Sequence, residues 1–188
     1  MAAMKMLSRR AQNFREDERG VAMIEMAVVL PVLLAIGLGV IEFGNAIYSK
    51  HLITNGVRDG ARYAAGLPHD DTTAIANAQC IALTGEKNGD PKCNILNTPV
   101  CAPQDCRVSW WKLSTEISVT YTPLPDTGSL CGTLASPAFC RGRDQSGYIY
   151  VVTVTATAPY QQLGFLAFFG LNAPTLGVSH QERVYGVR

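Results

Sequence analysis

The sequence has almost no net charge, and this argues against partners that are recognised through their own charge. The 188 residues carry 16 Lys and Arg against 15 Asp and Glu, which leaves a formal net charge of +1. A chain without an excess of either sign produces no overall field that attracts nucleic acid or an acidic substrate. We therefore expect no nucleic-acid partner.

Motifs for catalysis are also missing. No serine stands in a G-x-S-x-G context, and His51, His69 and His180 are scattered without an acidic residue at a motif spacing. The sequence therefore predicts neither an enzyme nor a cofactor. An envelope enzyme whose catalytic residues meet only in the fold remains a minor alternative.

Cysteine is absent from the N-terminal part of the chain. An even number of cysteines on one side of an apolar stretch predicts disulfides in an oxidising compartment, although the sequence does not choose among the possible pairings. A zinc site is the weaker alternative, because no C-x-x-C occurs and the closest pair is five residues apart. The six residues are Cys80, Cys93, Cys101, Cys106, Cys131 and Cys140.

One long stretch lacks charge almost completely. Between Val21 and Ile41 the sole charged residue is Glu25. An α-helix rises about 1.5 Å per residue, so this stretch spans roughly 30 Å, the thickness of the hydrocarbon core of a bilayer. We predict a single transmembrane helix over residues 21–47. A glutamate inside it is costly unless something pairs with it, which makes Glu25 a candidate functional residue.

Residues 1–20 form a short leader before this helix. Under the positive-inside rule its basic residues keep it in the cytoplasm, and the chain after the helix then lies outside. Pro31 lies within the predicted helix and favours a local kink, because proline lacks the N–H that bonds the preceding turn. The basic residues of the leader are Lys5, Arg9, Arg10, Arg15 and Arg19.

The helical pattern continues past the membrane stretch as an amphipathic extension over residues 48–66. Gly66 followed by Leu67 and Pro68 is a helix stop. The sequence therefore predicts one helix from about Val21 to Ala65, whose second half packs on something outside the membrane. The apolar face consists of Phe43, Ile47, Leu52, Val57, Ala61 and Ala64, at spacings of three to five.

Residues 67–188 predict a small strand-rich domain outside the membrane. Alternating apolar and polar residues indicate three strands, and we expect Pro123 and Pro125 to end the first. A long helix lying on a small antiparallel sheet gives an α+β fold, with its loops held by disulfides. The predicted strands cover residues 111–122, 148–158 and 176–187.

Two shorter segments complete this domain. Residues 69–82 predict a short helix that Asp70 or Asp71 caps. Residues 163–171, LGFLAFFGL, are apolar but too short to span a membrane. We expect this segment to be buried in the core or in a turn, with contact to the membrane surface or to a partner subunit as the alternative.

The junction between leader and helix carries a recognisable pattern. Arg19 and Gly20 are followed by VAMIE, so that Glu25 is the fifth residue after the glycine. This arrangement resembles the processing site of type IV pilins. The resemblance implies that a prepilin peptidase cuts after Gly20, that Val21 becomes a cationic N-terminus, and that Glu25 neutralises such an amine in the assembled helical bundle.

More of the helix extends the resemblance, to the TadE-like family of the tight-adherence (Tad/Flp) pilus system. The shared features are Glu25, Pro31 six residues later, Glu42-Phe43-Gly44, and Ala61-Arg62-Tyr63-Ala64-Ala65. One departure is Met26, where processed pilins of this system often carry an aromatic residue.

This family resemblance implies a minor pseudopilin or assembly factor that supports a surface pilus and adhesion. The expected partners are a prepilin peptidase, other pilins or pseudopilins, the pilus assembly machinery and the membrane. The expected location is the bacterial inner membrane, in a single pass with a cytoplasmic N-terminus.

Two alternatives keep the apolar helix but change its role. The first is an uncleaved, single-pass anchored module whose outer domain binds a ligand or a surface. The second is a secreted protein with an ordinary signal peptide cut after Gly44-Asn45-Ala46, a passable site that would discard the distinctive part of the chain.

Overall fold

The structure is a computed structural model that describes residues 18–69, 71–96, 100–111, 116–125 and 148–185. Two helices precede a three-stranded antiparallel sheet, and a short helix precedes the last strand. The predicted α+β class is confirmed. The elements are α1 (Glu18–Ala65), α2 (Thr72–Leu83), β1 (Ile117–Pro125), β2 (Tyr148–Pro159), α3 (Phe165–Phe168) and β3 (Thr175–Arg183).

Helix α1 is the longest element, with 48 residues. The predicted helix is confirmed, and it ends at Ala65 as expected. Pro31 lies in its interior without interrupting it. The next residue after the helix, Gly66, donates its N–H to the carbonyl oxygen of Tyr63 at 3.1 Å, which closes the last turn.

The chain divides into two compact units, one ending at Gly44 and one that begins at Asn45. In the first unit the large apolar side chains from Val21 to Phe43 are exposed, and none of the most apolar window of the helix is buried. Within the described ranges, α1 is the one helix long and apolar enough to cross a membrane. Its length and composition are those of a spanning helix.

The second unit has one hydrophobic core, to which the C-terminal part of α1, α2 and the sheet contribute. The predicted apolar face of α1 is wrong at its start, because Phe43 and Ile47 are exposed. Leu52 is only partly buried, since the neighbouring Ile53 takes the core position. The fully buried residues of α1 are Ile53, Val57, Ala61, Ala64 and Ala65.

Helix α2 begins close to the predicted position, with Asp71 as its N-cap. The Asp71 backbone is extended, and its carboxylate accepts the N–H of Thr73 at 2.8 Å. This bond satisfies one of the donors that a first helical turn leaves free. Asp70, the other candidate cap, lies outside the described residues. Gln79 joins α2 to β1 through a 2.9 Å bond from its amide to the carbonyl oxygen of Ile117.

The strands are ordered β1-β2-β3, and both pairings are antiparallel. Alternate residues of β2 from Val152 to Ala158 are buried in the core, and the threonines between them lie on the opposite face. In the middle of the sheet, Val154 is paired with Val119 on one side and with His180 on the other. The period of two that the sequence predicts for a half-buried strand is present.

The first strand differs from its prediction at its C-terminal end. Strand β1 continues through Pro123 and Pro125, which are paired with Tyr150 and Tyr148, so the expectation that these prolines end it is wrong. β1 is an edge strand of the described sheet. Proline is tolerated there because its nitrogen can face away from the neighbouring strand, where no donor is needed.

The first strand also begins later than predicted. Trp111 is fully buried and closes a turn, in which its N–H donates to the carbonyl oxygen of Val108 at 2.9 Å. Burial of the large indole in the core fixes this segment as a turn rather than as the start of a strand. Residues 112–115 lie outside the described residues, and the strand is described from Ile117.

Strand β3 ends at Arg183, earlier than the predicted Val187. The N–H of Val184 still donates to the carbonyl oxygen of Tyr150 on β2, at 2.8 Å. The N–H of Tyr185 then donates to the carbonyl oxygen of Ala65 at 2.8 Å, which directs the chain away from the sheet and satisfies an acceptor at the end of α1. Residues 186–188 lie outside the described part of the chain.

Four of the six cysteines form two disulfides. Cys80 is bonded to Cys93, and Cys101 is bonded to Cys106. For these four residues the disulfide prediction is confirmed, and the pairing that the sequence left open is given. Cys131 and Cys140 lie in residues 126–147, outside the described residues.

The expectation that residues 163–171 are buried is wrong. Helix α3 has no buried residue, and Phe168 is 84% exposed. The register pairs Pro159 with Thr175, so that residues 160–174 form a loop beyond the end of the sheet. Among the described residues, no layer of the core covers the apolar side chains at the tip of this loop.

Candidate functional site

The predicted processing junction, Gly20 and Val21, lies in the first turn of α1. Both residues are exposed, and a Cβ atom at Gly20 would meet no heavy atom within 4 Å. Gly20 is not among the glycines with positive φ. Within the described part of the chain, neither packing nor backbone conformation therefore requires a glycine at this position.

Glu25 lies one helical turn after Val21, on the same face of α1. It is exposed among the exposed apolar side chains Ile24, Val28 and Val29. Within the described ranges no side chain forms an ion pair with Glu25. A carboxylate in an apolar environment needs a compensating charge, so that a lipid or bundle environment would require a cation from elsewhere.

Pro31 and Glu42 lie farther along the same helix. Pro31 is exposed, whereas the Glu42 side chain is only 4% exposed. At about 1.5 Å per residue, Glu25 and Glu42 are separated by about 26 Å along α1. The structure therefore spreads Glu25, Pro31 and Glu42, which the family resemblance singles out, along one helix and does not gather them into a pocket.

The C-terminal part of α1 is fixed against α2 by small residues. A Cβ atom at Gly60 would lie 2.7 Å from the carbonyl oxygen of Ala78, and one at Gly56 would overlap the carbonyl oxygen of Ala82. Such distances leave no room for a side chain at either glycine. Backbone against backbone at this separation holds the two helices at one fixed spacing.

An ion pair adds a second link between α1 and the loop after α2. The Arg107 guanidinium donates to the Asp59 carboxylate, with 2.6 Å between Nη2 and Oδ2. The backbone N–H of Arg107 also donates to the carbonyl oxygen of Leu83 at 2.7 Å. Arg107 directly follows the Cys101–Cys106 disulfide, so that this loop is tied to both helices.

The end of α1 is bonded to the sheet. The hydroxyl of Tyr121, on β1, donates to the carbonyl oxygen of Ala64 at 3.3 Å. Burial raises the pKa of Tyr121, and the nearby Asp71 carboxylate raises it further. The phenol therefore keeps its proton, and its ability to donate this bond, at neutral pH.

The described part of the second unit contains a cleft of about 420 Å³. Apart from Arg107, the residues that line it are apolar or uncharged and polar, and none is a carboxylate or an imidazole. A general base is therefore missing from the lining. No group of three His, Cys, Asp or Glu in the described ranges could hold a metal ion. The cleft gives no support to the envelope-enzyme alternative.

Sequence reasoning missed the contacts that fix α1 to the rest of the second unit. Gly56 and Gly60 form a G-x-x-x-G spacing that was visible in the sequence and could have indicated a close helix contact. Asp59 and Arg107 are 48 residues apart, and no local pattern connects them.

The N-terminal helix matches a known family model, over residues 20–62. No curated protein and no solved structure matches the chain. Residues 20–62 match the family model of TadE-like protein, which confirms the resemblance that the sequence predicts. The matched range contains the junction, Glu25, Pro31 and Glu42, but not the sheet. The N-terminal helix is therefore similar to that of the TadE-like proteins, and the match covers less than half of the chain.

Proposed function

We propose that this chain is a minor pilin-like subunit, or an assembly factor, of a tight-adherence pilus. In this proposal a prepilin peptidase removes residues 1–20, and the mature chain begins at Val21. The protein stays in the inner membrane through residues 21–47, or passes from there into the pilus, and it supports pilus formation and adhesion.

The proposal rests on one observation: Gly20 is followed five residues later by Glu25, on an exposed helix that matches the TadE-like family. Among the described residues Gly20 has no packing role, since a Cβ atom there would meet no heavy atom within 4 Å. Because the fold does not need a glycine at this position, recognition by another molecule, such as a peptidase, can explain why one is there. The same reasoning applies to Glu25, which is exposed on an apolar surface.

Cleavage would supply a cationic partner for Glu25. A new amine at Val21 is cationic at neutral pH. In a bundle of such helices, a Glu25 carboxylate can neutralise the amine of a neighbouring chain, and the low dielectric of the bundle strengthens this attraction. A pair of this kind would fix the register between subunits, because any axial shift separates the two charges and leaves both uncompensated.

The second unit would then be the part of the subunit outside the membrane. It has its own core, its own sheet and two disulfides, and these are features of a domain in an oxidising compartment. In this proposal the basic leader lies in the cytoplasm, on the other side of the membrane.

A complementation experiment tests this function. The gene is deleted in its host, and the strain is complemented with wild type, Glu25→Ala or Glu25→Asp. We expect Glu25→Ala to be made and cleaved at wild-type levels but to leave few surface pili by electron microscopy, whereas Glu25→Asp restores them in part because it keeps the charge. Met23→Ala, on the same exposed helix, is the matched control and should restore piliation.

Normal piliation with Glu25→Ala would contradict the pairing argument. Normal piliation in the deletion strain would contradict the function altogether. The alternative of an uncleaved anchored module predicts that the protein keeps Met1 and that piliation is independent of the peptidase acting on this chain.

A further inference from the structure

We propose that residues 160–174, here called the apolar loop, rest in the interfacial region of the same bilayer that α1 crosses. The occupant of this exposed apolar surface is thus lipid, at the level of the headgroups and the upper acyl chains. The inference rests on the membrane anchoring within the proposed function and goes beyond it, because it gives the domain outside the membrane a contact surface of its own.

The first evidence is the composition and exposure of the loop tip. Phe168 is 84% exposed and Leu163 is 64% exposed, and Phe169 and Leu171 are exposed as well. Phe165 and Phe168 each contact Phe169 edge to face, with ring centroids 4.9 and 5.3 Å apart. A contiguous aromatic patch of this kind on a small domain marks a contact surface rather than a chance exposure.

The backbone of the loop is also suited to a poorly hydrated environment. The N–H of Phe168 donates to the carbonyl oxygen of Gly164 at 3.0 Å, and the N–H of Leu171 donates to that of Leu166 at 2.9 Å. The N–H of Gly170 donates within the loop in the same way. Donors that are satisfied within the segment remove a main cost of placing backbone against lipid.

The absence of charge favours lipid over a protein partner. The sequence contains no Asp, Glu, Lys or Arg from Gln145 to Gln181. Protein interfaces usually surround an apolar centre with a polar or charged rim. A segment at the boundary of the acyl chains is instead selected against charge, because each charge there would have to stay hydrated.

The decisive observation is a hydrogen bond between the base of the loop and α1. The Asn45 side-chain amide donates to the hydroxyl of Tyr160, at the base of the loop, over 2.8 Å. Asn45 is the first residue of the second unit, and it lies at the end of the predicted membrane segment, residues 21–47. A loop whose base is hydrogen-bonded to that residue stays close to the point at which the helix leaves the bilayer.

Aromatic residues around this hydrogen bond fit an interfacial level. Tyr48, one helical turn after Asn45, is exposed. Trp110 packs edge-on against Tyr160, with ring centroids 6.0 Å apart, and so supports the base of the loop. Tyrosine and tryptophan are enriched where membrane proteins meet the headgroup layer, because each has an apolar ring and a polar tip.

Depth-dependent quenching in nanodiscs tests the inference on the full chain, without other pilus proteins. An environment-sensitive fluorescent amino acid replaces Phe168, Leu96 or Leu33 in turn. The nanodiscs contain phosphatidylethanolamine and phosphatidylglycerol, with a nitroxide either near the headgroup or at the end of the acyl chain. Leu96 is the matched control, because it is exposed and apolar but lies outside the loop. Leu33 reports on the apolar part of α1.

We expect the probe at position 168 to show a blue shift and stronger quenching by the headgroup nitroxide than by the deep one. The probe at position 96 should be quenched by neither, and the probe at position 33 should be quenched more by the deep nitroxide. This pattern would support the inference.

Other patterns would overturn it, and they separate two kinds of failure. Quenching at position 33 without quenching at position 168 would overturn the lipid contact and leave the membrane anchor intact. No quenching at either position would overturn the anchor itself, and with it the proposed function. A blue shift at position 168 that appears only when another pilus protein is added would assign the loop to a protein partner and overturn the lipid contact.

Discussion

A Cβ atom at Gly60 would lie 2.7 Å from the carbonyl oxygen of Ala78. This separation is shorter than any ordinary contact of a Cβ atom, and Gly56 stands in the same relation to Ala82 one turn earlier. The two glycines of α1 thus face two alanines of α2, and the spacing of four residues on both helices lets the backbones approach closely. The orientation of α1 in the second unit depends on these four small residues.

Substitution of either glycine should separate the helices. We expect Gly60→Ala to destabilise the second unit by about 1–3 kcal/mol, the usual cost of overpacking, even though alanine favours a helix by about 1 kcal/mol over glycine. Urea unfolding of the full chain in detergent, followed by circular dichroism, measures the change. Gly44→Ala is the matched control, because a Cβ there meets nothing within 4 Å. Equal stability of the two variants would contradict the close packing of α1 and α2.

The two disulfides should differ in their contribution to stability. Cys80 and Cys93 are 13 residues apart, whereas Cys101 and Cys106 are 5 residues apart. Loop-closure entropy then predicts a loss of about 3 kcal/mol when the first pair is changed to alanine and about 2 kcal/mol for the second. Denaturant unfolding of the two double variants gives the order. The reverse order would mean that native contacts of the Cys101–Cys106 loop, rather than chain entropy, dominate.

The hydroxyl of Tyr121 should make the second unit sensitive to alkaline pH. Its pKa is raised above the ordinary value of 10.0 by burial and by Asp71, so the folded protein holds this proton more tightly than the unfolded chain. The corresponding stability is fully present below pH 10 and is lost as the pH rises through the folded pKa.

Tyr121→Phe removes this titration. The variant should lose some stability at neutral pH, since the bond to Ala64 is absent, and the difference from wild type should shrink as the pH rises above 10. Unfolding free energies of both proteins from pH 8 to pH 12 measure the difference. A constant difference across this range would show that the phenol does not titrate differently in the two states.

The Asp59–Arg107 ion pair should contribute modestly. The Asp59 side chain is 46% exposed, so water and salt screen the pair. We expect Asp59→Asn to cost about 1 kcal/mol or less and the effect to decrease at high salt. Glu86→Gln is the control, because the Glu86–Lys92 pair is longer, at 3.5 Å, and more exposed. A larger loss at Glu86 than at Asp59 would contradict the role of Arg107 in holding its loop.

Patterns that repeat along the chain were predicted well from the sequence. The end of α1 at Ala65 follows from its periodicity and from Gly66, and β2 follows from the alternation of valine and alanine with threonine. Both signals are local, because each depends on which face of a single element avoids water. The helix that matches the family is also the part of the chain with the strongest local pattern.

Features that depend on which other elements pack against a helix or strand were predicted poorly. Pro123 stays in β1 because the strand lies at an edge of the described sheet, and no sequence window specifies an edge. The apolar composition of residues 163–171 predicts burial. Whether they are buried depends, however, on whether another layer lies above the end of the sheet. The Asp59–Arg107 and Asn45–Tyr160 contacts likewise join residues far apart in the chain.

The most direct test of the central claim is the N-terminal sequence of the protein purified from cells with and without a prepilin peptidase. We predict a chain that begins at Val21 only when the peptidase is present, and at Met1 when it is absent or when Gly20→Ala blocks the cut. Gly20→Ala should leave the fold unchanged, because a Cβ there meets nothing within 4 Å. A chain that begins at Met1 in the presence of the peptidase, or one that begins after Ala46, would contradict the account.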